Sequence, residues 1–223
     1  SPQDLEGRHF VVTAGPTRGW IDRVRFITNP SSGRMGIELA REIAFRGGTV
    51  DLVIGPTESK PPTSVEVINV ETTAEMLDAV LSSLKKTKTS AVISAAAVLD
   101  YVPLEKEESK IASGKAELSV KLGPTPKIIE AVRGNYKEMY IVGFKVESEV
   151  SDKELEKRAK EKIDAGVCDL VVANDAHREG VAFGTDTNEV LIVGSEGVVK
   201  KVPLSSKRNV AREIVDVMIQ RMK

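Results

Sequence analysis

Short, continuous apolar runs recur along this chain with helical stripes between them, and that alternation most restricts its fold. The runs are residues 9–13, 49–54, 65–70, 90–95, 140–144 and 169–173. Most are apolar at consecutive positions rather than at every second one. A strand buried on both faces needs that pattern, and crossover helices on a parallel sheet bury both faces. The segments between carry helix signals. Thr72-Thr73-Ala74-Glu75 is a capping box before the stripe Met76, Leu77, Val80, Leu81 and Leu84. Ser151-Asp152-Lys153-Glu154 is a second capping box, with Gly166 as the stop of its helix. Residues 33–46 read as the first crossover helix, closed by Gly47-Gly48. Residues 206–222 put Val210, Ile214, Val217 and Met218 on one face of a final helix. The expected class is α/β: a Rossmann-like, doubly wound, mostly parallel sheet with helices on both faces, in a single domain over 1–223.

Two regions depart from the alternation. Residues 103–117 hold seven charged residues in fifteen and precede the alternating Leu118, Val120 and Leu122. A flap over 103–122 with a hairpin arm is expected there. Residues 189–193 and 198–202 flank 194–197 as a β-hairpin.

At 223 residues and 24.1 kDa the chain suits one such domain. The net charge of −1 and pI near 6.2 supply no global pull toward nucleic acid. Any anion site must therefore come from local placement. Cys168 is the one cysteine, which rules out an internal disulfide and fits a reducing, cytoplasmic setting. Inside VCDLVVA it reads as a buried thiol. No apolar run approaches the roughly 20 residues of a membrane helix, and no secretory signal is visible. The opening SPQDLEGR, without Met, reads as a processed, tagged or excised start.

The first turn of the sheet carries the densest chemistry. From Thr13 to Ser32 the connection is close to twenty residues, where about 2–6 is usual. Gly15, Pro16, Trp20 and Ile21 mark it as ordered. Arg18, Arg23, Arg25 and Arg34 gather where a phosphate-bearing ligand would lie. Ser31 or Ser32 is placed to cap the helix, with the amides of Gly33, Arg34 and Met35 at its positive end. Gly33 and Gly36 let a ligand or a strand approach the backbone. A phosphate site and a plain capped helix both fit these residues. Neither G-x-x-x-x-G-K-[ST] nor G-x-G-x-x-G is present. The second strand ends at Ile54-Gly55-Pro56 without an acid for a ribose hydroxyl, which disfavours an NAD(P)-dependent oxidoreductase.

Further candidates sit at other strand ends. SAAAVLDY (94–101) leaves room for a ligand beside Ala96 and Ala97, which Asp100 then enters. Lys110 lies in the charged flap before apolar Ile111. Phe144 offers a stacking platform, and Asn174 and Asp175 end the sixth strand. His9, His177 and Cys168 are not at metal-cage spacing, and no Ser-His-Asp or Cys-His arrangement is suggested.

TAGPTR (13–18), RFITNPSSGRMG (25–36), AAAVLDY (95–101), GFKVES (143–148) and VANDA (172–176) occur in an order and spacing that resembles the phosphopantothenoylcysteine synthetases. These are the phosphopantothenate–cysteine ligases of coenzyme A biosynthesis, in many organisms the C-terminal half of a bifunctional flavoprotein. The resemblance spans essentially the whole chain and would make the opening that of a domain cut from such a fusion. It implies that the carboxylate of 4′-phosphopantothenate attacks the α-phosphate of a nucleoside triphosphate. Pyrophosphate leaves, and the amine of L-cysteine then attacks the acyl-nucleotidylate. It also implies Mg²⁺ held largely by the phosphates, and a homodimer in which each subunit helps build the other's site. Fusion to, or association with, a flavin-dependent decarboxylase domain would follow.

Roles carry over by motif. Asn29 resembles the asparagine that binds phosphopantothenate and the acyl intermediate, with Ala96 and Ala97 lining the substrate cleft. Gly15, Ser31, Gly33 and Gly36 resemble triphosphate-cradling positions, and Asp100 a nucleotide-binding aspartate. Lys110 corresponds to the flap lysine that neutralises charge between carboxylate and α-phosphate. Pro126, Lys127, Ile128, Ile129, Phe144, Lys162 and Asn174 match further nucleotide contacts. Ile111, Ala112 and Ser113 depart from the bacterial Lys-x-Lys-Lys flap, and Gly166 stands where a second helical lysine is expected. GFKVES leans toward the eukaryotic pattern, whose enzymes can use ATP. Lys162, VANDA and the first loop favour CTP. A nucleotide-sensing module without turnover is the remaining alternative.

Overall fold

The computed structural model describes residues 3–112, 114, 117–178, 180–181 and 185–222. In chain order its strands are β1 (His9–Ala14), β2 (Arg18–Trp20), β3 (Phe26–Thr28), β4 (Thr49–Ile54), β5 (Glu66–Asn69) and β6 (Ala91–Ser94). They continue with β7 (Tyr101–Pro103), β8 (Leu122–Pro124), β9 (Tyr140–Glu147), β10 (Leu170–Asp175), β11 (Thr187–Gly194) and β12 (Gly197–Ser206). The helices are α1 (Arg34–Phe45), α2 (Thr73–Lys86), α3 (Ile128–Asn135), α4 (Asp152–Asp164) and α5 (Lys207–Arg221).

The parallel strands run in the order β5-β4-β1-β6-β9-β10, and the antiparallel hairpin β11–β12 extends that edge. This is the 3-2-1-4-5-6 winding of dinucleotide-binding sheets, which reverses direction between β1 and β6. Helices α1 and α5 cover one face and α2, α3 and α4 the other. Strand β1 shows why its run had to be continuous. Phe10 and Val12 enter the first core while Val11 enters the second, all fully buried. The six expected strands form within a few residues of their expected limits, and β9 runs on to Glu147.

Local chemistry accounts for the helix starts. Thr72 closes both halves of its capping box, accepting from the Glu75 N–H at 3.2 Å while Glu75 accepts from the Thr72 N–H at 3.1 Å. The second box closes by half. Ser151 accepts from the Glu154 N–H, but the Glu154 carboxylate turns to Arg158 at 2.9 Å. Neither Ser31 nor Ser32 caps α1. Gly33 takes the cap position at φ 69, and its N–H donates to Ser31 Oγ at 3.3 Å. The chain turns sharply there because α1 starts against the end of β1. A Cβ on Gly36 would meet Ala14 Cβ at 2.6 Å and Thr13 O at 2.9 Å.

Two loops are more structured than the periodicity implied. The long first connection folds as the antiparallel hairpin β2–β3. Its turn is held by Asp22, which is fully buried and accepts from the N–H groups of Val24 and Arg25 at 2.7 Å each. The other Asp22 oxygen reaches across to the Ile111 N–H at 3.1 Å, tying the flap to the hairpin. The flap's base is the pair β7–β8; 118–121 form no strand, because pairing starts only at Leu122. Ser113 and Lys115 of the expected flap lie outside the described residues. Helix α3 had no expectation, being eight residues long without a side-chain cap.

Gly36→Ala is expected to lower the unfolding free energy by roughly 1–3 kcal/mol, because the added methyl overpacks against β1 backbone. Urea unfolding with an unchanged slope would check it.

Candidate active site

Beyond the carboxyl ends of β6 and β9 the sheet opens into a cleft of about 950 Å³. It lies one strand over from the reversal between β1 and β6, on the side of the sheet edge where doubly wound folds carry their ligand crevices, the carboxyl ends of the strands. Its floor is built by the segment after β6, and the residues after β1 hold that floor in place. Thr13 Oγ1 accepts from the Ala96 N–H at 3.2 Å, Gly15 O from the Ala97 N–H at 2.9 Å, and Thr17 Oγ1 from the Leu99 N–H at 3.0 Å. The two threonines and the glycine of TAGPT thus shape the alanine platform.

Asn29 projects onto this platform from the end of the hairpin. Its amide donates to Val98 O at 3.0 Å and to Ala97 O at 3.4 Å. That fixes which way the amide faces, and Oδ1 accepts nothing from the described residues. Ala96, Ala97, Asp100, Pro126, Lys127, Ile128, Ile129, Phe144 and Lys162 line the same cleft. Asp100 is ion-paired with Lys127 there.

The remaining expected residues stand elsewhere. Gly15, Ser31, Gly33 and Gly36 lie at the β1–α1 junction, outside the cleft lining. The glycines pack backbone there; a Cβ on Gly33 would meet Gly15 N at 3.2 Å. Asn174 is buried in β10. Lys110 is exposed, because Asp22 and Arg25, the latter donating to Ile111 O at 2.9 Å, hold its neighbour against the hairpin. The four arginines do not converge on a ligand. Arg18 pairs with Glu71 at 2.8 Å and stacks over Phe26, Arg23 faces Glu108, Arg25 grips the flap, and Arg34 pairs with Asp186. Each has a carboxylate or carbonyl nearby, though the exposed Arg23–Glu108 pair contributes little.

The cleft's cations come instead from Lys127, Lys145, Arg158 and Lys162. Arg158 was missed at the sequence level. It lies one helical turn before Lys162, on the same face of α4, whereas the expected partner was sought one turn after it. At that position Gly166, with φ 71, lies beyond the helix end. The signal was a basic residue at i−4 inside the capped helix. Glu147 accepts from Lys145 at 2.8 Å and pairs with Arg158. Burial works against its ionisation, but those two cations prevail and hold its carboxyl below the usual value.

Two further features favour an anion here. Helix α3 opens into the cleft with its positive end. Its first intrahelical bond runs from the Ala131 N–H to Lys127 O, which leaves the N–H groups of Ile128, Ile129 and Glu130 without partners among the described residues. Lys162 is pushed below 10.5, first by burial and then by neighbouring Lys145 and Lys127, against the opposing pull of Cys168 and Asp100. An arriving anion would relieve this. Cys168 is buried, as expected, and burial raises its thiol to about 11. Among the described residues no group of three His, Cys, Asp or Glu side chains is placed to hold a metal ion, and no helix is long and apolar enough to cross a membrane.

A Rossmann-like sheet with an anion-suited cleft beyond the carboxyl ends of its strands defines the class. The chain belongs to the family described as DNA/pantothenate metabolism flavoprotein, C-terminal domain, which matches residues 5–222. The coenzyme A biosynthesis bifunctional protein CoaBC of Thermococcus kodakarensis is 44% identical over 216 residues, 96% of this chain and 52% of that protein. The Bacillus subtilis protein of the same name is 38% identical over 212 residues, 95% of this chain and 51% of its own length. The chain thus spans about half the length of these relatives. A crystal structure of a CoaBC C-terminal domain superposes with TM-score 0.80 at 32% identity, covering 98% of this chain and 97% of that one.

Lys162→Arg should move the alkaline loss of inorganic triphosphate binding to higher pH. A lysine with a lowered pKa sheds its proton, and its hold on the anion, below pH 10.5, whereas guanidinium stays charged. Calorimetric titration between pH 7 and 11 would check the direction.

Proposed function

We propose that the chain is a phosphopantothenate–cysteine ligase acting in coenzyme A biosynthesis, with CTP as the activating nucleotide. The observation that carries the reading is the cleft itself. It combines Asn29 on the alanine platform with four cations and a helix N-terminus along the opposite wall. That arrangement suits an amide-bearing chain ending in a carboxylate, set beside a triphosphate. Supporting it, relatives spanning the chain at 38–44% identity carry the CoaBC name.

The chemistry follows from the placement. Asn29 Oδ1 is oriented to accept from an amide N–H of the pantothenate chain, while Ala96 and Ala97 leave room for that chain. A carboxylate oxygen attacks the α-phosphorus and the bond to pyrophosphate breaks, giving the acyl-cytidylate. Arg158, Lys162, Lys127 and the α3 amides hold the polyphosphate and offset the charge that develops. The cysteine amine then attacks the acyl carbon, loses a proton, and CMP leaves. Phe144 lies against the base or ribose, and Asp100 takes nucleotide hydrogen bonds once Lys127 turns to phosphate. Mg²⁺ would be held largely by the phosphates of the nucleotide, where it would supply further neutralisation of the triphosphate charge. Lys110, exposed in the single chain, acts when the flap folds over bound nucleotide in a homodimer. Gly15, Ser31, Gly33 and Gly36 act by shaping the junction under the site.

Incubating the protein with 4′-phosphopantothenate, L-cysteine, Mg²⁺ and CTP should release pyrophosphate in step with product. Faster turnover with ATP would overturn the choice of base. Nucleotide binding without pyrophosphate would leave a sensing module instead. Asn29→Ala and Lys110→Ala should each slow turnover by roughly a hundredfold or more, as loss of a group acting on the transition state does. Wild-type rates would remove their roles.

A further inference from the structure

Helix α4 carries Arg158 and Lys162 into the cleft, yet of its 13 residues only Leu155 and Ala159 are buried. So little apolar surface leaves the helix dependent on polar contacts along its length and at its ends, among them Glu156 accepting from the Val198 N–H at 3.1 Å and Lys160 donating to Ser195 O at 2.9 Å. Asp175, the last residue of β10, is 4% exposed and supplies those at the start. Its Oδ1 accepts from the backbone N–H groups of Glu149 at 3.0 Å and His177 at 2.9 Å, and its Oδ2 from Val150 at 3.1 Å. Arg178 stands 3.8 Å from the same carboxylate. Its guanidinium donates to Asp152, the first residue of α4, and to Glu189 of β11.

The turn that these two residues hold is strained. Glu149 has φ 59, the only positive φ outside glycine among the described residues. A residue with a side chain keeps that conformation only where its surroundings impose it. The turn joins Glu147, which pairs with Arg158, to the helix that carries Arg158.

We propose that Asp175 and Arg178 are positioning residues of the nucleotide site: they anchor the turn between β9 and α4 so that α4 presents Arg158 and Lys162 to the ligand's phosphates. Neither lines the cleft itself, though Asp175 pairs in register with Glu147, which does. The inference rests on the nucleotide reading above. Asp175 acts through its two oxygens together, since an amide there would offer one acceptor and set N–H against N–H at the other. Arg178 acts by bridging the helix start to β11 through a rigid fork, geometry that a lysine's point charge on a flexible stem does not reproduce.

Asp175→Asn tests the proposal by hydrogen exchange on the ligand-free chain and by steady-state kinetics. The α4 amides should exchange faster while those of β1 and β4 do not change. The KM for nucleotide should rise about tenfold, with kcat and the KM for 4′-phosphopantothenate within about twofold, as when an outer partner orients a ligand-holding group. Adding Glu149→Gly, which removes the strain, should restore part of the nucleotide KM. An unchanged nucleotide KM beside a lowered Tm and a smaller active fraction would reduce Asp175 to a structural residue and overturn the proposal. Should Asp175→Asn fail to fold, Arg178→Lys carries the same expectations. If the wild-type chain releases no pyrophosphate, the ligase reading fails separately. The Kd for CTP then replaces KM, and equal values in wild type and variants would overturn the positioning role.

Discussion

Burial of the parallel sheet on both faces is the constraint from which the rest follows. With helices packed above and below β1, β6 and β9, neither face has room for solvent or for polar side chains. Polar chemistry is confined to the strand ends. There, buried polar groups need partners, and the chain supplies them at close range. Thr13, Gly15 and Thr17 hold the alanine segment, Asp22 the hairpin and flap, and Asp175 the start of α4. Each sits at a strand end or turn and accepts a backbone N–H bond from a distant segment, Gly15 through its carbonyl and the others through short polar side chains. The loops are thereby rigid without a hydrophobic core of their own.

Electrostatics then divides the cations into two sets. Arg18, Arg23, Arg25 and Arg34 are engaged with carboxylates or carbonyls around the hairpin, the flap and the β10–β11 connection. Lys127, Lys145, Arg158 and Lys162 face the cleft, and three of them already have carboxylate partners there, Asp100 or Glu147. Under the proposed reading, a polyphosphate entering this cleft would exchange one anion for another rather than neutralise bare charge. That exchange lowers the net gain from each contact but makes the fit of the anion decisive, since a poorly placed phosphate leaves a cation without either partner. Lys162 differs in that burial rather than pairing dominates its setting.

Much of this was legible in the residues. Continuous apolar runs read as buried parallel strands because they are only five or six residues long and alternate with helical stripes that cover both faces. The Thr72 box read as a helix start because both of its bonds are local. Asn29, Ala96, Ala97, Asp100, Phe144 and Lys162 share one cleft because all sit at strand ends or on a crossover helix, and the winding order brings those ends together. Ser31 and Ser32 were misread as caps because the cap depended on a non-local contact, the approach of Gly33 to Gly15. The arginines clustered along the chain do not act as one site because Glu71, Glu108 and Asp186, from other segments, engage Arg18, Arg23 and Arg34, while Arg25 reaches the flap. Helix α3 was too short and uncapped to announce itself.

The sequence by itself therefore determined the fold class, the order of elements and which loops carry the chemistry. These depend on burial periodicity and on hydrogen bonds within a few residues. Only the tertiary structure decided which cations face the cleft, where the flap lysine rests, and that Asp175 and Arg178 hold the helix bearing Arg158. Those depend on pairings between groups far apart in the chain, and a side chain's charge does not reveal which partner will reach it first.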